Sequence, residues 1–478
     1  MLFSTPLFVF LFLPIVLLVY VSLPGIRDRN AWLLMASVVF YAWGEIGFIV
    51  MLLLSVLINF GFGRAMERSK TPAYRKCIVA IGIASNLGLL AFFKYFNLGV
   101  HALNMALQAF GSKPVNSANI MLPLGISFFT FHALSYLIDV YRQKQRAATN
   151  PRDVALYIFF FPQLIAGPIL RWHAIAPQLV SREHSLEKFA EGVRRFVKGL
   201  AKKVFIANTV AFPADQIFSL PASQLSTADA WLGVVCYTVQ IYFDFSGYSD
   251  MAVGLGKMFG FQFLENFNFP YISQSIREFW RRWHISLSTW FRDYLYFPLG
   301  GNRVSNARNC LNLVIVFFLC GLWHGASLTF VVWGLYHGLF LVLERTAIGS
   351  FIGKMPRGFR HLYALFVVMI GWVIFRADNF AVAANYLYTM SGLEYATETQ
   401  PLMRYATDRV LCAVLSGVIC STPVWGWLRA KLASATADHP GTFAIGHALE
   451  TLGVLVLFFL SVVWLAGETY NPFIYFRF

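Results

Sequence analysis

The sequence predicts an all-α polytopic membrane protein with roughly 10–12 transmembrane or re-entrant helices. Three observations carry that prediction. Of 478 residues, 58% are hydrophobic and 13% charged, whereas a soluble domain carries about a quarter charged residues. Apolar runs recur along the whole length, and the basic residues collect in the short stretches between them.

The runs occupy 6–23, 31–41, 48–58, 78–93, 122–138, 154–165, 311–322, 328–343, 362–375, 410–424 and 448–464. A span needs about 20 mostly apolar residues, so the shorter runs are expected to be tilted, broken or re-entrant. The first run is preceded by no basic residue and followed by no small-x-small site. It is therefore read as a retained helix rather than a secretion signal. The formal charge of +15 comes from basic stretches at 27–29, 64–76, 142–152, 182–203, 277–308, 345–360 and 429–431. The positive-inside rule puts these on the cytoplasmic side, which explains the charge without a nucleic-acid partner. The six cysteines are scattered in or beside apolar runs and form neither a disulfide framework nor a zinc spacing, so no metal is expected.

One membrane-embedded domain, 1–478, is expected, with N-terminal helices at 1–140, a motif-bearing core at 141–346 and C-terminal helices at 361–478. Within it, 154–171 begins and ends on the same side, is too short to cross twice, and contains Pro162, Gly167 and Pro168. Broken backbone at membrane depth is tolerated only where protein buries it or a cavity lines it. The stretch 265–309 mixes six arginines with eight Phe and Trp residues, the pattern of amphipathic helices at the cytoplasmic interface. Residues 377–404 are the most polar and are expected to form an external loop before a final helical hairpin.

Ionisable side chains in apolar runs are costly and so are functional candidates. His324 lies in Cys320-Gly-Leu-Trp-His-Gly-Ala326, where Gly321 and Gly325 permit close backbone approach. His284 lies in Phe279-Trp-Arg-Arg-Trp-His284 at the membrane edge, where Arg281 and Arg282 are available for phosphate groups. His132 and His337 also fall in apolar runs, and spacing does not separate them from His324; any of these imidazoles could instead be a satisfied structural group. In Tyr242-Phe-Asp-Phe-Ser-Gly-Tyr-Ser-Asp250, Asp244, Ser246 and Asp250 interrupt an apolar region. Either a site or a polar network joining helices fits them. No Ser-His-Asp pattern is visible.

At these residues the sequence resembles the membrane-bound O-acyltransferase family, in its bacterial polysaccharide-modifying branch. The matching strings are Phe161-Pro-Gln-Leu-Ile-Ala-Gly-Pro-Ile169, Asp244-Phe-Ser-Gly-Tyr-Ser-Asp250, Asn266-Phe-Asn-Phe-Pro-Tyr271, Phe279-Trp-Arg-Arg-Trp-His284, Tyr294-Leu-Tyr-Phe-Pro-Leu-Gly-Gly301 and Leu322-Trp-His-Gly-Ala326. The opening Met1-Leu-Phe-Ser and the closing Phe473-Ile-Tyr-Phe also look like that branch. The resemblance implies catalysis by His324 and His284, with Arg281, Arg282, Trp323, Asp244, Ser246 and Asn266 lining the donor path. It implies helices ringed around an intramembrane tunnel, no bound cofactor, and acetyl-CoA or another acyl thioester as donor. It also implies periplasmic or membrane-anchored acetyltransferase partners and a multi-pass location in the bacterial inner membrane. Two other readings remain open: D-alanyl transfer to teichoic acid on the same fold, and a membrane transporter, for which broken helices and intramembrane His and Asp are also expected.

Overall fold

The computed structural model describes residues 1–393, 402–435, 440–467 and 470–474, and among them every regular element is helical. All six cysteines are free thiols. The chain divides into two compact units, one made mainly of 7–190 with 255–264, the other of 191–254 and 265–478 joined by 3–6.

The first unit contains α1 (Leu13–Ser22), α2 (Ile26–Glu45), α3 (Ile49–Arg68), α4 (Pro72–Ala109), α5 (Ile126–Tyr141), α6 (Pro151–Phe159), α7 (Phe161–Leu164) and α8 (Trp172–Val180). The apolar runs 31–41 and 48–58 fall in one helical stretch, Ile26–Arg68, interrupted by a 3-10 turn at Ile46–Phe48. α3 and α4 are joined in the apolar layer by a reciprocal amide pair, Asn86 Nδ2 to Asn59 Oδ1 at 2.8 Å and Asn59 Nδ2 to Asn86 Oδ1 at 3.1 Å. Such pairs hold helices together where hydrophobicity alone gives no preference. α4 opens on Pro72, whose missing N–H is lost at no cost in a first turn. α5 opens after Gly125 at φ +77°, where a Cβ would press on the Leu164 carbonyl.

The stretch 154–171 is broken, as expected. α6 stops at Phe160, α7 lasts four residues, and the backbone then runs without regular structure to Arg171. Its polar groups are met inside the protein: the Phe161 N–H donates to Ser37 Oγ at 3.1 Å, Tyr157 Oη to the Leu170 carbonyl at 2.8 Å, and Gln163 Nε2 to the Tyr157 carbonyl. This is the condition under which irregular backbone survives at membrane depth.

The second unit contains most of α9 (Leu186–Ala201) and of α11 (Thr227–Met258), with α10 (Asn208–Phe218) between them. α12 (Ile276–Arg282) and α13 (Ile285–Phe291) follow, then α14 (Asn306–His324), α15 (Leu328–Leu343), α16 (Ala347–Lys354), α17 (Arg357–Arg376) and α18 (Phe380–Met390). α19 (Asp408–Cys420), α20 (Val424–Ala435) and α21 (Pro440–Gly467) close the chain. α14 and α15 cross on glycine. A Cβ on Gly321 would overlap the Phe330 carbonyl, and one on Gly334 the Phe317 carbonyl, so the two backbones touch directly.

Two expectations are revised. The segment 377–404 is not a plain loop, because α18 forms within it, capped by Asn379 Oδ1 on the Val382 N–H at 3.0 Å and anchored by Tyr386 stacked on Phe218 at 4.3 Å; residues 394–401 lie outside the described residues. The closing segment is a three-helix stretch rather than a simple hairpin, since α20 stands between α19 and α21.

Among the described residues, five helical stretches are long and apolar enough to cross a membrane: Ile26–Arg68, Pro72–Ala109, Asn306–His324, Arg357–Arg376 and Ala448–Gly467. α15 and α16, bent by 76°, form a sixth if counted as one span, and Phe8–Ser22 and Ile126–Tyr141 are shorter apolar helices. The protein is a multi-pass, all-α membrane protein.

The segment 471–474 packs inside the second unit. Asn471 Nδ2 donates to the Ser4 carbonyl at 3.1 Å, and Tyr248 has Phe3 stacked on it at 4.5 Å and Phe473 tilted against it at 4.8 Å. Of the closing string 473–476, residues 475 and 476 lie outside the described residues.

Candidate active site

His324 is the last residue of α14. Gly325 then leaves the helix in extended backbone, at φ −170° and ψ 168°, and any helix end frees carbonyls that need other partners. The imidazole is buried at 8% exposure among the rings of Trp323, Trp333 and Phe375, with centroids at 4.7, 5.0 and 5.1 Å. The indole N–H of Trp333 is buried without a hydrogen-bond partner among the described residues. An unmet donor there costs free energy unless something else accepts it.

His284 sits between α12 and α13 at φ +43°, a left-handed conformation that few non-glycine residues hold. Local hydrogen bonds hold the corner. The Ile285 N–H donates to the Asn266 carbonyl at 2.9 Å, and the Asn268 N–H to the Arg282 carbonyl at 3.0 Å. Asn266 Oδ1 accepts from Ser286 N at 3.2 Å and Ser286 Oγ at 2.9 Å, and His284 Nδ1 lies 3.1 Å from the same oxygen. Because that oxygen is an acceptor, the proton belongs on Nδ1, and Nε2 presents a lone pair with no partner among the described residues. Burial holds this imidazole far below its ordinary pKa, at about 3, so it is neutral.

These two histidines come together around one indole. Trp323 lies 4.7 Å from the His324 ring and 6.4 Å from the His284 ring. Asn266 joins the group through His284. Phe245, beside the buried Ser246, packs edge-on against His284 at 4.7 Å.

The other expected residues are placed differently. Asp244 forms a buried ion pair with Lys203 at 2.7 Å and accepts the Ile474 N–H at 2.8 Å, while Lys203 also donates to the Pro472 carbonyl. Arg282 pairs with Glu278 at 2.9 Å and donates to the Asn268 carbonyl at 3.0 Å, and Arg281 is exposed. His337 is buried with neither ring nitrogen hydrogen-bonded among the described residues, against Trp280 and Trp333 at 5.2 Å each. His132 belongs to the first unit and is likewise buried, beside Tyr157 at 5.4 Å. Sequence reasoning missed Trp333 and Lys203: an indole in an apolar run reads as bulk, and Lys203 read as the end of a basic loop.

A buried imidazole and a second, neutral one with a free lone pair can take a proton from a hydroxyl and return it to a leaving group. Residues 123–384 match the sequence model described as MBOAT, the membrane-bound O-acyltransferase family. The chain belongs to that family. This acyltransferase is 44% identical to a protein named probable alginate O-acetylase AlgI from Azotobacter vinelandii, over all of both chains. It is 37% identical to a peptidoglycan O-acetyltransferase from Helicobacter pylori, over 82% of this chain and 80% of that one. A teichoic acid D-alanyltransferase from Bacillus subtilis is 30% identical over 47% of this chain and 59% of its own. The membrane-bound O-acyltransferase thus transfers acyl groups, and the transporter reading falls away.

Proposed function

We propose that this acyltransferase passes acetyl groups from a cytoplasmic thioester, acetyl-CoA or another acyl thioester, across the bacterial inner membrane for O-acetylation of an exported polysaccharide. The observation that carries the reading is the pairing of His324 and His284 on Trp323 in a chain that matches alginate O-acetylases along its whole length. The D-alanyl alternative has weaker support, since similarity to that relative covers under half of this chain.

In this reading His324 takes the proton of the acceptor hydroxyl as its oxygen attacks the thioester carbonyl. A C–O bond forms and the carbonyl becomes an oxyanion. Collapse of that intermediate breaks the C–S bond, and the proton returns from His324 to the departing sulfur. The unpartnered Trp333 N–H is a donor available for the oxyanion. His284, fixed by Asn266 with its buried Nε2 lone pair unpartnered among the described residues, accepts a hydrogen bond and orients the hydroxyl or the donor arm. It does not donate to the oxyanion in this tautomer. The apolar rings limit water and therefore hydrolysis of the thioester. Periplasmic or membrane-anchored acetyltransferases are the partners that complete transfer to sugar hydroxyls.

The test is deletion of the gene in its source cells, restored with the native protein or with His324→Ala at equal membrane abundance, followed by assay of alkali-released acetate on the exported polymer. Acetate restored by the native chain alone supports the proposal. Acetate restored by both removes His324 from the mechanism.

A further inference from the structure

Apart from the histidine site, the second unit holds a polar cavity of about 240 Å³ where α12, α16 and the start of α17 meet. Its walls include Gln274, Arg277, Glu278, Glu344, Ile352 and Arg360. The two carboxylates are already committed. Glu278 accepts from Arg282 at 2.9 Å and from the Gln274 N–H at 2.9 Å. Glu344 accepts the Ile276 N–H at 2.5 Å, the Arg277 N–H at 3.0 Å and Tyr363 Oη at 3.3 Å.

The two guanidinium groups are not. Neither Arg277 nor Arg360 makes a side-chain hydrogen bond or ion pair among the described residues, and the Arg360 Nε is buried with no acceptor. The buried Arg360 Nε is thus a donor in need of an acceptor, and the exposed Arg277 guanidinium lines the same cavity, where an anion could meet both. The volume exceeds the roughly 30 Å³ share of one water several-fold, enough for a phosphate group with part of its ester.

The surroundings of the cavity have the composition of a membrane-surface element. Ile348 and Phe351 on α16, and Phe359 and Leu362 on α17, are large apolar residues 48–65% exposed beside the cavity. α16 turns 76° away from α15 and carries Lys354 on its polar side. Such a bent amphipathic helix, rich in neighbouring arginines, has the composition of an interfacial element.

We infer that Arg277 and Arg360 form a phosphate-binding site at the membrane interface, filled either by the head group of an anionic phospholipid or by the phosphates of a soluble nucleotide ester. The inference does not depend on the catalytic assignment of His324, and binding rather than turnover tests it.

The full-length protein would be purified and placed in phosphatidylcholine nanodiscs with or without phosphatidylglycerol, and lipid retention read by native mass spectrometry. Coenzyme A binding would be measured in parallel in the lipid that lacks phosphatidylglycerol. The variants are Arg277→Ala/Arg360→Ala, Arg277→Lys/Arg360→Lys, and Arg308→Ala, which removes one exposed charge outside the cavity. Loss of two charge-assisted contacts is expected to weaken one of the two ligands by about tenfold or more, with partial recovery in the lysine pair. Loss confined to phosphatidylglycerol identifies a lipid site, and loss confined to coenzyme A a nucleotide site. Equal loss in Arg308→Ala, or no loss of either ligand in a monodisperse double-alanine variant, overturns the inference.

Discussion

Gly334→Ala is the substitution most directly aimed at the framework that holds His324. An added methyl group on α15 would overlap the Phe317 carbonyl oxygen and come within 3.1 Å of its carbon and 3.2 Å of the Gly321 nitrogen. All three are backbone atoms, so no side chain can swing aside. With ordinary C···O contacts near 3.3 Å, α14 must retreat by about 1 Å. Overpacking of this kind costs about 1–3 kcal/mol. His324 ends α14, three residues beyond Gly321, so its ring moves with the helix, and a displacement of about 1 Å at a reacting group can lower a rate by about 100-fold. The assay is polymer-bound acetate at matched membrane abundance, with thermal unfolding in detergent alongside. Gly88→Ala is the comparison, because nothing lies within 4 Å of an added methyl there. Full activity and unchanged stability in Gly334→Ala would refute the claim that backbone contact between α14 and α15 positions His324.

Other substitutions probe the remaining supports. Lys203→Ala leaves the Asp244 carboxylate buried without its cation, and should cost about 3–5 kcal/mol in detergent unfolding, whereas Lys203→Met/Asp244→Leu should recover much of that loss. Trp333→Phe keeps the ring and removes the N–H, and should lower turnover by about tenfold or more with little change in donor KM if the indole meets the oxyanion. Asn266→Ala frees the His284 proton to either nitrogen and should reduce turnover by about tenfold or more, a loss that Asn266→Asp would not leave unchanged either. His284 has a folded pKa of about 3 below its unfolded value of about 6.5. The unfolded chain therefore binds the extra proton, and stability contributed by neutral His284 is full above pH 6.5 and declines below it, by about 2 kcal/mol at pH 5. His284→Gln should flatten that acid-side decline in a thermal-stability series from pH 7 to 5, and an unchanged slope would contradict the assignment.

The sequence made some of this arrangement legible because the signals were local. His324 stood out as an ionisable group inside an apolar run, and Gly321 and Gly325 beside it marked the close packing and the helix end found there. The break at 160–171 was announced by its prolines and glycine. What stayed hidden was pairing across distance. Lys203 closed a basic stretch and looked solvated, yet it meets Asp244, 41 positions away, and both are at most 3% exposed. Arg277 and Arg360 are separated by 83 positions, and each reads alone as one more cytoplasmic charge. Asn266 was visible only as part of a string, although its side-chain oxygen decides which nitrogen of His284 keeps the proton. Helix α18 was missed because polar residues around it outweighed a short apolar stretch anchored by Tyr386.

The contact between Ser4 and Asn471 spans 467 positions. At roughly 5–20 residues per second, a ribosome needs about 25–90 seconds to travel that far. For all that time Ser4 exists without Asn471, and Tyr248, once made, has Phe3 on one side but lacks Phe473 on the other. Lys203 and Asp244 likewise wait for the Pro472 carbonyl and the Ile474 N–H. Residues 471–474 are thus late additions to the second unit, so a chain that stalls near residue 460 carries His324 and Trp323 while Ser4 still lacks Asn471 and Asp244 still lacks the Ile474 N–H.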